Sequence, residues 1–460
     1  MTLAAEPRAG PSGSGAARPV ARNAAALFLA YALPRGLTFL AAIVAARTLG
    51  TSDFGAYGTA GAFAVVLSIV ATLGMIPLLV REFAQHPGRA PSLMRAAHWV
   101  KTASNAVMLA ALIVLVRLLG YSGEVQGAAL LLAIAYAIGA YGENLAAYFQ
   151  ATERMHVWTQ ASALYGLVTG LVGGVLVVTT SSLVLFSAAP ILGQAAALGW
   201  LLARLPGPVR RGAPASWGDL RRLLHWLAPF AVSFVVLTVY AKLDVLLLAH
   251  WWPASEVGLY TAAYKFVDIT RALATVGAAA VYPRLSRAGA AQGDDVRLAG
   301  ARLLELALLV AVPVAALLWT LRAPVVGLAF GAAYTGSVPV LALLAAVLPA
   351  LTANVVALYV LAAARAMRWV ALLYGATLAI NLGLNLWFIP VRGAEGAALA
   401  MLLSEWGLAV GALATARLVL GINLRPRALW SPPERAALAR SLRRGPDLTP
   451  EIAALERADA

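Results

Sequence analysis

The sequence predicts an all-α integral membrane protein with about twelve transmembrane helices in two parallel, pseudo-repeated six-helix bundles. Three observations carry this prediction. Of 460 residues, 61% are hydrophobic and only 12% are charged, about half the charge density of an ordinary soluble domain. Twelve stretches reach the length of about 20 apolar residues that a helix needs to cross the hydrocarbon. A short phrase also occurs twice: SDFGAYGTAGAF at Ser52–Phe63 returns as SEVGLYTAAYKF at Ser255–Phe266, keeping its serine, acid, glycine, tyrosine and phenylalanine at an offset of 203 residues.

Taken in order, residues 1–22 are Ala, Gly, Pro, Ser and Arg without periodicity and read as a disordered tail. The spans follow at 23–46, 57–80, 97–119, 128–149, 158–180 and 183–203, forming a first bundle over 23–203. The first span exceeds the ~7–15-residue core of a signal peptide and reads as retained. A basic linker, 204–226, contains DLRRLLHW, which can form an amphipathic helix on the inner surface. Spans at 227–251, 257–282, 301–321, 338–364, 369–389 and 396–417 form the second bundle over 227–420, and 421–460 is a basic tail. The repeated phrase joins spans 1 and 2 in one bundle and spans 7 and 8 in the other. An even number of spans separates the copies, so the halves share one orientation and are related by an axis along the membrane normal.

The net charge of +15 is explained by topology rather than by a nucleic-acid partner. Of the 35 Lys and Arg, 27 fall on connections on the side of both termini, and four, Arg47, Arg117, Arg322 and Arg392, fall on the other. The positive-inside rule then puts both termini in the cytoplasm, in the cell (inner) membrane. Trp99, Trp158, Trp226 and Trp369 open spans at inner ends, whereas Trp251, Trp252, Trp319 and Trp387 lie near outer ends, as interfacial rings do. With no cysteine and five scattered histidines, the chain offers no disulfide and no evident metal cluster, and no cofactor is expected.

That count strands four bases inside the membrane: Arg35 on span 1, Lys242 on span 7, and Lys265 and Arg271 on span 8. Arg35 lies midway along its span, where an arginine costs ~2.5 kcal/mol or more. It bonds the Ala30 carbonyl left free by Pro34, pairs with a membrane acid, or faces a wet cavity. Lys265, Asp268 and Arg271 are spaced three apart and form one stripe. A single acid cannot offset two bases, so the stripe suits an anion. Lys242 and Asp244 lie about 200° apart around a helix, so one is expected to face span 8 and the other the cavity. Asp244, Asp268 and Glu405 are candidates for proton or sodium coupling, while Glu143 and Glu305 read as structural. Asn381 and Asn385, one turn apart, are placed to bond a neighbouring helix.

Several phrases in order, RTLGTSDFGAYG, GMIPLLVREFA, LDVLLLAHWWPASEVGLYTAAYKF, VYPRLSR and NLGLNLWFIPVRGAEGAALAMLLSE, resemble the polysaccharide-biosynthesis flippases of the multidrug/oligosaccharidyl-lipid/polysaccharide exporter superfamily. The resemblance implies a V of two bundles around a central cavity lined mainly by the first two helices of each. It implies translocation of a polyprenyl-pyrophosphate-linked oligosaccharide from the inner to the outer leaflet for cell-surface polysaccharide export, by alternating access. Arg35, Lys242, Lys265 and Arg271 would then bind the substrate, and polysaccharide polymerase machinery would be a partner besides the bilayer. Span 2 has no intramembrane base, so the cavity is expected to be asymmetric. A cation-coupled drug exporter of the same superfamily is the alternative, and a positive cavity argues against it. The loop REFAQHPGRAPSLMRAAHWVK lacks the signature of major-facilitator transporters. A membrane enzyme acting on lipid-linked sugars, a polymerase or ligase, would present a sizeable outer loop or an acidic metal motif, so the protein is expected not to be an enzyme.

Overall fold

The computed structural model describes residues 17–72, 74–221, 223–224, 238–290, 294–364 and 366–420, with side chains at 17–33, 276, 279–299 and 419–420 outside the description. The basic tail 421–460, the inner half of span 7 and Trp226 lie outside the described residues, as does most of the 1–22 tail, although helix already begins at Ala17. The helices are α1 (Ala17–Thr72), α2 (Met75–Gln85), α3 (Ala90–Leu118), α4 (Gly123–Ala151), α5 (Met155–Thr180), α6 (Leu183–Arg204), α7 (Gly207–Arg211), α8 (Leu243–Trp251), α9 (Ala254–Ala290), α10 (Asp294–Thr320), α11 (Arg322–Phe330), α12 (Ser337–Ala363) and α13 (Met367–Leu420). No strand occurs among the described residues. Where two spans meet, small polar residues start the next helix: Ser122 accepts from the Val125 N–H to open α4, and Ser182 from the Leu185 N–H to open α6.

α1 and α13 are each two spans joined by a glycine. Gly50 has φ 77°, ψ 179° and Gly393 φ 54°, ψ −128°, values that L side chains rarely adopt. The chain reverses at both. Phe39 meets Phe266 at 5.6 Å between ring centroids while Tyr57 lies 6.0 Å from the Lys265 ammonium, so residues 39 and 57 are close, whereas an unbroken helix would hold them about 27 Å apart. Asn381 likewise donates to Ser404 at 3.0 Å, a separation of about 35 Å along a straight helix. Eight described helical runs are long and apolar enough to cross a membrane. Two of these, Pro34–Gln85 and Met367–Leu418, each fold back and hold two of the expected spans; span 8 lies in α9 and the outer end of span 7 in α8, the rest of span 7 falling outside the described residues.

The repeated phrase packs against itself. A Cβ on Gly55 would lie 1.7 Å from the Ala254 carbonyl oxygen, and one on Gly258 would lie 1.9 Å from that of Thr51. These two contacts exchange under the 203-residue offset, and Gly58 meets its own counterpart, Thr261. The α1 and α9 backbones therefore touch about a pseudo-twofold axis at the end of the molecule holding the Gly50 and Gly393 turns. Close approach of this kind supplies the dispersion contacts on which helix association in lipid depends. Arg47 reinforces the end by donating to the Leu328 and Ala329 carbonyls, and Tyr334 donates to Ala46 O at 2.9 Å.

The structure corrects three expectations. α3 begins at Ala90, so Lys101, which the sequence count assigns to an inner connection, lies three turns inside a helix and is fully buried. It is a fifth base within the bundles. Arg322–Phe330, expected to be a plain connection, forms a helix too short to span. Lys242 and Asp244 do not divide between span 8 and the cavity: both meet α9, as described below, because residues 241–242 are a turn and the helical angle does not apply across it.

Candidate functional site

A cavity of about 320 Å³ lies between the halves. Both arms of α1 contribute Arg35, Phe39 and Tyr57, α5 contributes Tyr165 and Thr169, α6 contributes Phe186, and α9 contributes Lys265 and Asp268. Two bases and one acid leave its wall with a positive excess. Pro34 opens a step at which α1 lies close to α5: a Cβ on Gly166 would meet Pro34, and one on Gly170 would meet Leu37. That packing sets the depth of Arg35, which is exposed on the cavity side. Lys265 makes no ion pair with a described residue; its ammonium sits 6.0 Å from the Tyr57 ring centroid. An aromatic face attracts a cation without neutralising it, so the charge stays available.

The other sequence-predicted residues are arranged differently. Arg271 points along the stripe but pairs with Glu405 at 3.3 Å. Glu405 is itself buried and accepts from Asn354 Nδ2 at 2.7 Å. Neither lines the cavity. Lys242 stands 4.0 Å from Asp268 and 4.7 Å from the centroid of the Tyr264 ring, so Asp268 is shared between Lys242 behind it and the cavity in front. Asp244 is buried, accepting from the Tyr260 hydroxyl and, at 2.8 Å, from the Val245 N–H. Of the three candidates for ion coupling, only Asp268 reaches the cavity. Asn381 donates to Ser404 of the following span, the cross-helix bond expected of it, while Asn385 donates to Asn381 at 2.9 Å within its own helix.

A second charged pair was not legible as such. Lys101 donates to Thr72 O at 3.0 Å and to Glu143 at 3.4 Å, with the ammonium wholly enclosed. The sequence count puts the base in a connection and reads the acid as structural without naming its partner; the signal that joins them is that α3 and α4 are consecutive antiparallel spans. No group of three or more potential metal ligands occurs among the described residues.

A family model described as "Polysaccharide biosynthesis protein" matches residues 20–288, more than half of the chain. No curated protein matches the sequence. Among solved structures, the lipid II flippase MurJ in an inward closed conformation superposes with a TM-score of 0.70 at 15% identity, over 86% of this chain and 90% of that one. An inward-facing multidrug resistance MATE family transporter of the MOP superfamily gives 0.65 at 15% identity, over 84% and 94%. A MOP superfamily transporter from Pyrococcus furiosus, described as having a binding pocket of reversed polarity, gives 0.60 at 15% identity, over 87% and 96%. The fold is that of these transporters, whose helical bundles the present chain shares.

Proposed function

The chain belongs to the polysaccharide biosynthesis protein family, and on that premise we propose that it flips a polyprenyl-pyrophosphate-linked oligosaccharide across the cell membrane by alternating access. It acts as a transporter and makes or breaks no covalent bond. The observation that carries this reading is that Arg35 of α1 and Lys265 of α9 line one cavity, with a single acid, Asp268, beside them in the lining. A pyrophosphate with a polar glycan cannot enter hydrocarbon unaided. Fixed cations in a medium of low dielectric offset the loss of its hydration, and a guanidinium can grip phosphate through two parallel hydrogen bonds. The polyprenyl tail remains in the bilayer at the gap between bundles. Arg271 and Lys242, each opposed by a carboxylate, take a supporting part: they keep the α9 stripe electropositive and contact the substrate only if their acids are displaced. The inner face is that of the linker and both termini, where the bases remain concentrated after Lys101 is removed from the count.

A cation-coupled drug exporter fits less well, since a net positive wall repels its cationic substrates. The test is the appearance of glycan at the surface of cells carrying Arg35→Ala or Lys265→Ala at matched expression. Each is expected to lower it about tenfold or more, the loss of one charged hydrogen bond to phosphate. Arg271→Ala is expected to lower it less. Normal export with both Arg35→Ala and Lys265→Ala would reject the site.

A further inference from the structure

Bases are scarce at the end of the molecule holding the Gly50 and Gly393 turns: the connections there carry Arg47, Arg117, Arg322 and Arg392. Arg47 is bonded to two backbone carbonyls. Arg117 sits in the last turn of α3, where a cation offsets the exposed carbonyls of the helix end. The remaining two, far apart in sequence, converge on one cavity of about 450 Å³ together with Glu395. Its apolar wall includes Val338, Leu343 and Leu399.

The parts are positioned for a ligand. Arg322 donates to the Trp319 carbonyl and lies 4.7 Å from the Trp319 ring centroid, which fixes the guanidinium plane while leaving further N–H groups unengaged. Among the described residues, neither Arg392 nor Glu395 has a hydrogen-bond or ion-pair partner. Next to these arginines in the chain, Leu321 and Val391 are exposed at 43% and 76%, and Trp387, five residues before Arg392, at 75%. Exposed tryptophans beside exposed aliphatic residues mark the boundary between headgroups and acyl chains, so the opening meets lipid rather than bulk water.

We propose that this cavity binds the headgroup of a phospholipid bearing a primary ammonium beside its phosphate, of the phosphatidylethanolamine type, with Arg322 and Arg392 on the phosphate and Glu395 on the ammonium. Two cations and one anion match the two poles of that headgroup. A choline headgroup has the same charges but no N–H to donate to Glu395, and a glycerol headgroup has no cation for it. The apolar wall takes the first segment of an acyl chain, which a soluble phosphate compound lacks. The site is independent of the central cavity and of the flippase reading.

The test is native mass spectrometry of the full-length protein in detergent, offered equimolar phosphatidylethanolamine, phosphatidylcholine and phosphatidylglycerol with identical chains. Phosphatidylethanolamine should be retained about tenfold over phosphatidylcholine, the effect of one charge-assisted hydrogen bond. Arg322→Gln with Arg392→Gln should lose all three lipids to background. Glu395→Gln should reverse the order, weakening phosphatidylethanolamine and strengthening phosphatidylglycerol, a gain that misfolding cannot mimic. Soluble phosphoethanolamine, added with phosphatidylethanolamine at equal concentration, should not compete with it. Equal retention of the ethanolamine and choline lipids, an unchanged order in Glu395→Gln, or full competition by phosphoethanolamine would each overturn the proposal.

Discussion

At an offset of 203 residues, Lys265, Asp268 and Arg271 correspond to Ala62, Val65 and Ser68, while Arg35 corresponds to Thr238 and Asp244 to Ala41. One glycine and one tyrosine of the repeat are kept, Gly55 as Gly258 and Tyr57 as Tyr260, and with the glycines the paired contacts about the pseudo-axis. Backbone geometry is thus shared between the copies and charge is not. The first copy buries Ala62 and Ser68 in its own bundle, whereas the second turns the equivalent positions toward the cavity and toward Glu405. The first half also seals its ion pair, Lys101 with Glu143, inside α3 and α4, while the second sets Lys242 with Asp268 and Arg271 with Glu405 along the stripe of α9. Under the proposed alternating access, the symmetric contact at one end is where the two halves would rock, while the asymmetric wall gives the cavity a sign.

The sealed pair is the part whose disruption has the largest expected effect. Lys101→Met leaves Glu143, whose side chain is 27% exposed, without its base, and breaking a pair buried on the lysine side only costs up to about 3 kcal/mol. Thermal unfolding in detergent should shift down strongly, and adding Glu143→Leu should recover most of the loss. If the single variant unfolds like the parent, the two halves do not differ in how they treat charge. On the other side of the comparison, Glu405→Gln removes the carboxylate from Arg271 but keeps an acceptor for Asn354. The expected stability loss is about 1.5–3 kcal/mol, with tighter binding of pyrophosphate to the purified protein, because the released guanidinium adds to the cavity charge. Unchanged pyrophosphate binding would mean that Arg271 stays remote from the cavity even when unpaired.

The symmetric contact can be tested separately. A methyl at Gly258 would sit 1.9 Å from the Thr51 carbonyl, so Gly258→Ala has to separate α1 from α9 at a cost of about 1–3 kcal/mol to the closed arrangement. The chain has no cysteine, and the Cβ of Gly58→Cys would lie 3.2 Å from that of Thr261→Cys, near the ~3.8 Å of a disulfide. Cross-linking of that pair should be rapid in the parent background and slowed by Gly258→Ala. Equal rates would show that the end opens without parting these helices.

Spans 4 to 6, 9 and 10 could be placed from hydropathy because each is a single uninterrupted apolar run. The reversals at Gly50 and Gly393 were legible as well, since the phrases around them end one span and begin another. Lys101 was misjudged because a tryptophan, Trp99, was taken to mark the start of a span, while the helix starts at Ala90. The pairing of Arg271 with Glu405 joins residues 134 apart, and nothing local in either segment encodes it. The residues lining the cavity from α5 and α6, Tyr165, Thr169 and Phe186, were missed because neutral side chains in a span carry no sequence signal that separates them from core.

The smallest expected effect concerns the linker, which breaks the symmetry of the halves by docking on the first one alone. Leu205, Val209 and Leu223 are buried with residues of α2 and α3, and Asp219 accepts from Arg89 and, at 2.9 Å, from the Ser216 hydroxyl. Burial pushes the Asp219 carboxyl up, but the hydrogen bonds from the Ser216 hydroxyl and N–H, together with Arg89, outweigh it and hold the carboxyl below its ordinary value. A group whose folded value is depressed contributes stability above its unfolded value, near 3.9, and loses that contribution as pH falls through the folded one. Arg89 is 39% exposed, so solvent screening keeps the effect to about 1 kcal/mol or less. Trp217, 75% exposed beside this cluster, offers the readout through its fluorescence, with the other tryptophans replaced by Phe. A transition is expected below pH ~4 that Asp219→Asn abolishes. If the transition persists in that variant, the linker is held on the first bundle by Leu205, Val209 and Leu223 alone, and the charge at its end contributes nothing to the asymmetry.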